Sequence, residues 1–304
     1  MYFLKRLLIL PPLLIVVSFL TFLLVKAAPG GPFDRERKPA SPEIERRMKE
    51  KYHLNDPLLK QYGSYVADLA HGDFGLSTKY RNHTVNDIIA QGLPVSMSLG
   101  MLAFGFALGV GVPVGYFSAW RRGRWQDFAG SFFAILMVCI PGLVLAPVLI
   151  ILFAIKLRIF PVALWGSPWH AILPVSALGL YYSGRIARLM REGMLNTMQS
   201  EFITTARAKG LSEHTVLLRH AFRLAVLPVV SYSGPLLADL LTGSFVIETI
   251  FQIPGIGMFF VNSMANRDST LTIGLVTLYA ALLILLNLAV DLAYTFLDPR
   301  VRYE

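Results

Sequence analysis

The chain has 304 residues, 55% of them hydrophobic and only 15% charged, with a mean hydropathy of +0.56. A soluble globular domain is roughly 45–50% apolar and about 25% charged, so this balance argues against a soluble protein and for one built to sit in lipid. The net charge of +9 admits nucleic acid or anionic lipid as a partner, and the placement of the charges decides between them. The single cysteine, Cys139, excludes an intrachain disulfide. There is no C-x-x-C, no H-E-x-x-H and no EF-hand spacing, so no metal site is expected.

A membrane helix needs about 20 mostly apolar residues. Six segments qualify in chain order: Leu7–Val25, Pro94–Ala119, Phe128–Ile155, Ala171–Tyr182 with an extension through Ser183–Met190, Leu224–Ile250 and Leu271–Phe296. Kinks are expected at Pro11, Pro12, Pro113, Pro141, Pro147, Pro174, Pro228 and Pro235. The first segment follows Lys5-Arg6, like a secretory signal, but its apolar run exceeds the ~7–15 residues of such signals and more spans follow.

Between the first two spans, residues 29–93 carry 10 Lys/Arg and 9 Asp/Glu and read as a small polar helical segment. "SPEIERRMKEKY" starts with Ser41 as cap, Pro42 at the first helical position and Glu43 and Glu45 in the first turn. A second helix starts at Asp56-Pro57, puts Leu58, Tyr62, Tyr65, Val66 and Leu69 on one face and stops at Gly72. "TVND", Thr84 to Asp87, opens a third with a capping-box pattern.

The short loops set the orientation. The N-terminus, 120–126, 185–223 and the C-terminus hold 14 Lys/Arg, whereas 156–170 and 251–270 hold 3. That asymmetry places both termini in the cytoplasm. It also disperses the basic residues among loops, where a nucleic-acid binder would gather them on one surface.

The fourth and fifth spans are joined by "TTARAKGLSEHTVLLRHAFR", residues 204–223. Two helical pieces, about 191–208 and 212–222, flank Gly210, and Ser212 caps the second. Such pieces can lie on anionic lipid or be gripped by a protein. Within the spans, Asp239 and Glu248 are candidates for a cavity or gate, with an inter-helix hydrogen bond as the alternative. Asp291 reads as structural. Arg185 and Arg188, about one turn apart, either pair with acids of a partner or snorkel. Gly255 and Gly257 in "IPGIG" permit a tight turn or a gate loop.

The 204–223 segment resembles the cytoplasmic coupling loop of bacterial ABC-importer permeases, in its oligopeptide and dipeptide variant. The family's Glu-Ala-Ala positions hold Thr204, Thr205 and Ala206, the glycine is Gly210, and Phe222-Arg223 stand where Leu-Pro is usual. "APGGPF", "YHLNDPLLKQYGSYVADLAHGDFG", "ETIFQIPGIGMFFVNSMANRDS" and the final "DLAYTFLDPRVRY" are similar to that family too, so the resemblance spans essentially the whole chain. It implies an all-α membrane protein of the ABC type I importer permease fold, in a bacterial cytoplasmic (inner) membrane. Residues 1–28 would be the first span, 29–93 a periplasmic segment and 94–304 the transmembrane core, with a coupling loop at about 185–223. It implies a second homologous permease subunit, two ATPase subunits that bind ATP and Mg, a substrate-binding protein on the outer face, and a peptide cargo, with lipid around and no nucleic acid. Thr205, Ala206, Gly210 and Leu211 become expected ATPase contacts, joined by Arg207, Lys209 and His214. Dipeptide, metal-chelate or haem cargo is the alternative within the family. A stand-alone secondary transporter is the alternative outside it, and would often show repeated halves. No Gly is followed by Lys anywhere, so a Walker A loop is not expected and the chain itself is not expected to be an enzyme.

Overall fold

The computed structural model describes residues 2–27, 56–80 and 83–297, with side chains for 8–27, 56–80 and 83–289. The expected Ser41 helix, the "APGGPF" stretch and the side chain of Asp291 lie outside the described residues. Twelve helical elements carry the described fold: α1 (Tyr2–Ala27), α2 (Leu58–Ala70), α3 (Val85–Trp120), α4 (Trp125–Cys139), α5 (Gly142–Lys156), α6 (Pro168–Met198), α7 (Glu201–Ala208), α8 (Glu213–Ala225), α9 (Leu227–Leu241), α10 (Phe245–Ile250), α11 (Ile256–Ala265) and α12 (Ser269–Leu297). Parts of α5 and α8, Ile150–Lys156 and Val216–Ala221, are wound as π-helix. An isolated bridge between Leu76 and Thr84 is the β-pairing found among the described residues.

Among the described residues, three helices are long and apolar enough to cross a membrane: Leu8–Ala27 of α1, all of α3, and Ser269–Ala289 of α12. The expected third span is two helices, α4 and α5, bent by 106° at the break before Gly142. Pro141 explains the break: the residue before a proline is pushed out of the helical region, and Ile140 is extended with ψ 113. The expected fifth span is also broken: α8 and α9 meet at 46°, and Gly243, at φ 91, separates α9 from α10. The fourth is part of α6, a 31-residue helix that carries Arg185, Arg188 and Arg191 in its C-terminal half.

The third outer helix expected from Thr84 is the beginning of α3 rather than a separate element. Its capping box forms as the sequence suggests: Asp87 N–H donates to Thr84 Oγ1 at 3.0 Å, and Thr84 N–H donates to Asp87 Oδ2 at 2.9 Å. Nothing then interrupts the helix before Trp120, so it runs through the 93/94 boundary. α2 follows Pro57 at its N-cap, and the chain turns after it at Gly72, at φ 78. Its Tyr62, Tyr65, Val66 and Leu69 are half-buried, while Leu58 stands exposed at the edge of that face.

α2 does not float above the spans. Tyr62 OH lies 2.9 Å from Ser18 Oγ in the middle of α1, and Tyr65 OH lies 3.2 Å from Thr277 Oγ1 in α12. Ser18 and Thr277 are eight or nine residues from the nearer ends of their helices, about 13 Å at 1.5 Å per residue. The helix therefore packs along the sides of α1 and α12.

The main core forms where α3 crosses α6, the most extensive helix pair. Gly111 and Gly115, one turn apart on α3, lie directly on Ile186, Ala187 and Met190 of α6; a Cβ on Gly111 would stand 2.7 Å from Ile186. Small residues at this spacing let two helices approach closely, and close contact is what holds membrane helices together when lipid is as apolar as the side chains. α4, α5, α8 and α9 pack around that pair. A smaller cluster of Val85, Ile88, Ile256, Leu271 and Leu275 joins α3, α11 and α12 at the other end.

Candidate coupling surface and transport path

The segment between α6 and α9 is a bent arm with one face in the core and one in the open. α7 ends in a Schellman turn: Gly210 N–H donates to Arg207 O at 2.9 Å and Leu211 N–H to Ala206 O at 3.4 Å. Such a turn requires a left-handed residue, and Gly210 supplies it at φ 77. Ser212 then caps α8, its Oγ accepting from Thr215 N–H. Arg207 straps the turn by pairing with Glu213, Nε to Oε2 at 3.1 Å and a terminal nitrogen to Oε1 at 2.7 Å. That guanidinium holds the Glu213 carboxyl below its ordinary range.

Ile203, Val216, Leu217 and Ala221 are fully buried in the main core. Thr205, Arg207, Lys209, Gly210, Leu211 and His214 are exposed together at the turn. Ala206 does not join them: at 7% exposure it faces the core, because it sits three residues after Ile203 on the same side of α7. Nothing lies within 4 Å of where a Gly210 Cβ would be. Phe202, Leu211 and Leu218 add exposed apolar area to the basic surface.

Two features that the sequence reading missed fasten this arm to the bundle. Asp127, at the start of α4, accepts from Arg191 of α6, Nε to Oδ1 at 2.7 Å and a terminal nitrogen to Oδ2 at 3.1 Å, with Gly123 N–H adding a bond at 3.0 Å. The Arg191 bonds hold the Asp127 carboxyl below its ordinary value. Gly193 of α6 lies directly against Ala225 O of α8, leaving no room for a Cβ.

Glu248, Gly255 and Gly257 come together, but not as an open pore lining. Glu248 is 0% exposed. Ser96 Oγ donates to its Oε1 at 2.8 Å; Gly257 N–H and Met258 N–H donate to Oε2 at 2.8 and 3.3 Å. Ser96 Oγ in turn accepts from Ile256 N–H at 3.0 Å. The carboxylate thus caps the first turn of α11, where unpaired N–H groups favour negative charge. A Cβ at Gly257 would stand 2.9 Å from Oε2, and one at Gly255 would collide with Oε2 and Ser96 Oγ. The two glycines are required so that the backbone can close on the acid. Asp268, also missed, does the same for α12: it accepts from Leu271 N–H at 3.1 Å and binds Ser77 Oγ and Lys79 N–H of the segment between α2 and α3. A Glu nine residues before a Gly, or a Ser 191 residues from its Asp, has no periodic signature by which it could be found.

Asp239 is different. It is exposed on α9 and accepts a hydrogen bond from Tyr182 OH of α6. Arg185, one turn further along α6, donates to Tyr232 OH at 3.3 Å and covers that ring at 5.5 Å. Arg188 is exposed beyond it and meets Glu192 at 3.9 Å. No group of three or more potential metal ligands occurs among the described residues.

Residues 111–303 match the family described as "Binding-protein-dependent transport system inner membrane component". The chain is 46% identical over 302 residues to the oligopeptide transport system permease protein OppB of Haemophilus influenzae, covering 98% of each. It is 44% identical to OppB of Escherichia coli over 304 residues, covering 99% of each. It is 42% identical to the dipeptide permease DppB of Bacillus subtilis, covering 99% of this chain and 97% of that one. Among solved structures, the inward-facing MetNI methionine ABC transporter gives a TM-score of 0.59 at 16% identity, covering 69% of this chain and 96% of that one. An amino acid ABC transporter gives 0.55 at 16%, covering 71% and 95%. The helical architecture is therefore that of ABC importer permeases, and the chain belongs to the family of binding-protein-dependent transport system inner membrane components.

Proposed function

We propose that this chain forms half of the translocation pathway of an ATP-driven oligopeptide importer and passes ATPase motion to the membrane helices. Near-full-length similarity to permeases named for oligopeptides supports the cargo. The arrangement has six spans with both termini in the cytoplasm, the third (128–155) bent between α4 and α5 and the fifth (224–250) broken between α9 and α10. The loop-charge asymmetry supports that orientation. A second, homologous permease subunit completes the pathway. Two ATPase subunits below it bind ATP and Mg, and a substrate-binding protein delivers peptide from outside.

The observation that carries the coupling role is the two-faced arm. Its exposed turn at Gly210, with Thr205, Lys209, Leu211 and His214, is the ATPase contact, while Ile203, Val216 and Leu217 bind the same arm to the core. Arg207 serves by holding the turn through Glu213, and Ala206 by seating α7. A dipeptide cargo is the second reading, supported by the similarity to DppB.

The test is reconstitution of the complete assembly in proteoliposomes. Peptide uptake and peptide-stimulated ATP hydrolysis are expected to require all subunits, with oligopeptides stimulating more than dipeptides. Uptake that continues without the ATPase subunits overturns the coupling role. Stimulation by dipeptides alone replaces the cargo.

A further inference from the structure

The geometry points to a peptide-terminus site on the exposed seam between α6 and α9, with Asp239 receiving the amino terminus and Arg185 a carboxylate. This rests on the proposed peptide-importing function and names where that cargo is held in this subunit.

The seam is a ladder with opposite charges at its two ends. α6 and α9 run antiparallel, so Tyr182 meets Asp239 at one level and Arg185 meets Tyr232 at the next. Each charge has one tyrosine partner, and both remain exposed from this chain. An Asp and an Arg on membrane helices are costly against lipid and belong beside water or a polar ligand. The two levels are three residues apart on α6, about 5 Å of rise, and seven apart on α9, about 10 Å. The backbone of a short extended peptide of two or three residues spans roughly that range.

A cavity of about 170 Å³ opens beside Tyr182, lined by Leu143, Ala177, Leu178, Tyr181 and Ser244. It lies next to the acidic end, where the first side chain of a bound peptide would fall. Its lining carries no charged residue, so it takes side chains by fit rather than by charge. The ladder thus reads features every peptide shares and leaves side chains nearly unread, as an importer of varied peptides requires.

The experiment uses the complete assembly in proteoliposomes, with the binding protein pre-loaded and saturating so that its own selectivity drops out. Turnover is measured for a tripeptide and for its amino-acetylated and carboxyl-amidated forms. Asp239→Asn is expected to slow the free tripeptide three- to tenfold while leaving the acetylated form unchanged. Arg185→Gln is expected to do the same for free against amidated carboxyl, and more for tripeptides than for pentapeptides. In parallel, Asp239→Cys and Arg185→Cys, each in a Cys139→Ser background, are expected to react with small charged thiol reagents and to be shielded by added peptide.

Equal slowing of all forms, or none, overturns the inference. So does failure of either cysteine to react in an assembly that still transports, because the seam is then covered by the second permease subunit. If the unmodified assembly moves no peptide at all, the proposed function itself fails first, and the two failures are distinct.

Discussion

Glu248 offers a direct choice between clasp and gate. Replacing it by alanine removes one acceptor group and leaves Ser96 Oγ–H, Gly257 N–H and Met258 N–H facing an empty space in the interior. A buried donor left without its partner costs about 1–3 kcal/mol. Ser96 can turn its hydroxyl elsewhere, and Met258 at 3.3 Å was the weakest of the three. The expected loss is therefore roughly 3–6 kcal/mol. Glu248→Gln keeps the volume but offers one acceptor oxygen. If that oxygen serves α11, the amide N–H₂ faces Ser96, whose Oγ already accepts from Ile256 N–H. About one bond and the favourable charge at the helix start are lost, roughly 1–3 kcal/mol. The assay is thermal unfolding of the purified assembly, paired with uptake per folded complex. Glu248→Ala should lower the melting temperature by several degrees and Glu248→Gln by less, with unchanged preference among charged peptides. A glutamine variant that melts like the parent but changes its preference for cationic over anionic peptides would refute the clasp and put the carboxylate on the path.

Gly210→Arg places an L-residue at φ 77, which costs about 1–2 kcal/mol, yet its side chain points into open space; the chain should fold and insert while co-purified ATPase falls tenfold or more. Intact association, measured by pull-down, would place the ATPase contact elsewhere. The Asp127–Arg191 pair predicts a pH dependence. Because Arg191 lowers the native pKa of Asp127, the pair contributes fully above the unfolded value near 3.9 and less as pH falls through the lower native value. The stabilities of the parent and Asp127→Asn should thus differ by about 1–3 kcal/mol at pH 7 and start to converge below about pH 4, as the pH falls toward the lower native value. Gly193→Val, forced against Ala225 O, should cost about 1–3 kcal/mol or more and weaken coupling, read as ATP hydrolysis that no longer rises with peptide.

The parts legible in the sequence were those set by local or periodic physics. Apolar length found α1, α3 and α12; turn chemistry found Gly72, Gly210 and Ser212; the capping box found Thr84 and Asp87. Continuity was harder. "TVND" announces a helix start, but nothing in it says whether that helix will stop before the next apolar run, and α3 does not. Pro141 announced a kink, but not that the chain would turn through 106°. The angle depends on what α5 packs against, which is α6. In the candidate site, Gly255 and Gly257 were visible as a flexible pair, whereas their reason, the Glu248 carboxylate between them and Ser96, is a contact made across 152 residues. Ala206 fell among the expected contacts because family position carries no information on which side of α7 faces the core.

On the proposed reading, the coupling turn and the charged seam would belong to one device. The turn is carried by α7 and α8, and these connect directly to α6 and α9. The arm is fastened to the bundle by Arg191 to Asp127 and by the contact of Gly193 with Ala225. A packed interior transmits displacement instead of absorbing it. Further along, α6 and α9 touch again through Tyr182–Asp239 and Arg185–Tyr232. A force that shifts α6 against α9 at the turn must therefore stretch or exchange those two tyrosine bonds. At the proposed terminus site both tyrosines would compete with a peptide terminus for the same charged group. If both proposals hold, motion at the turn would change how tightly cargo is held at the seam, and cargo at the seam would change how easily the turn moves, since coupling between two sites is reciprocal.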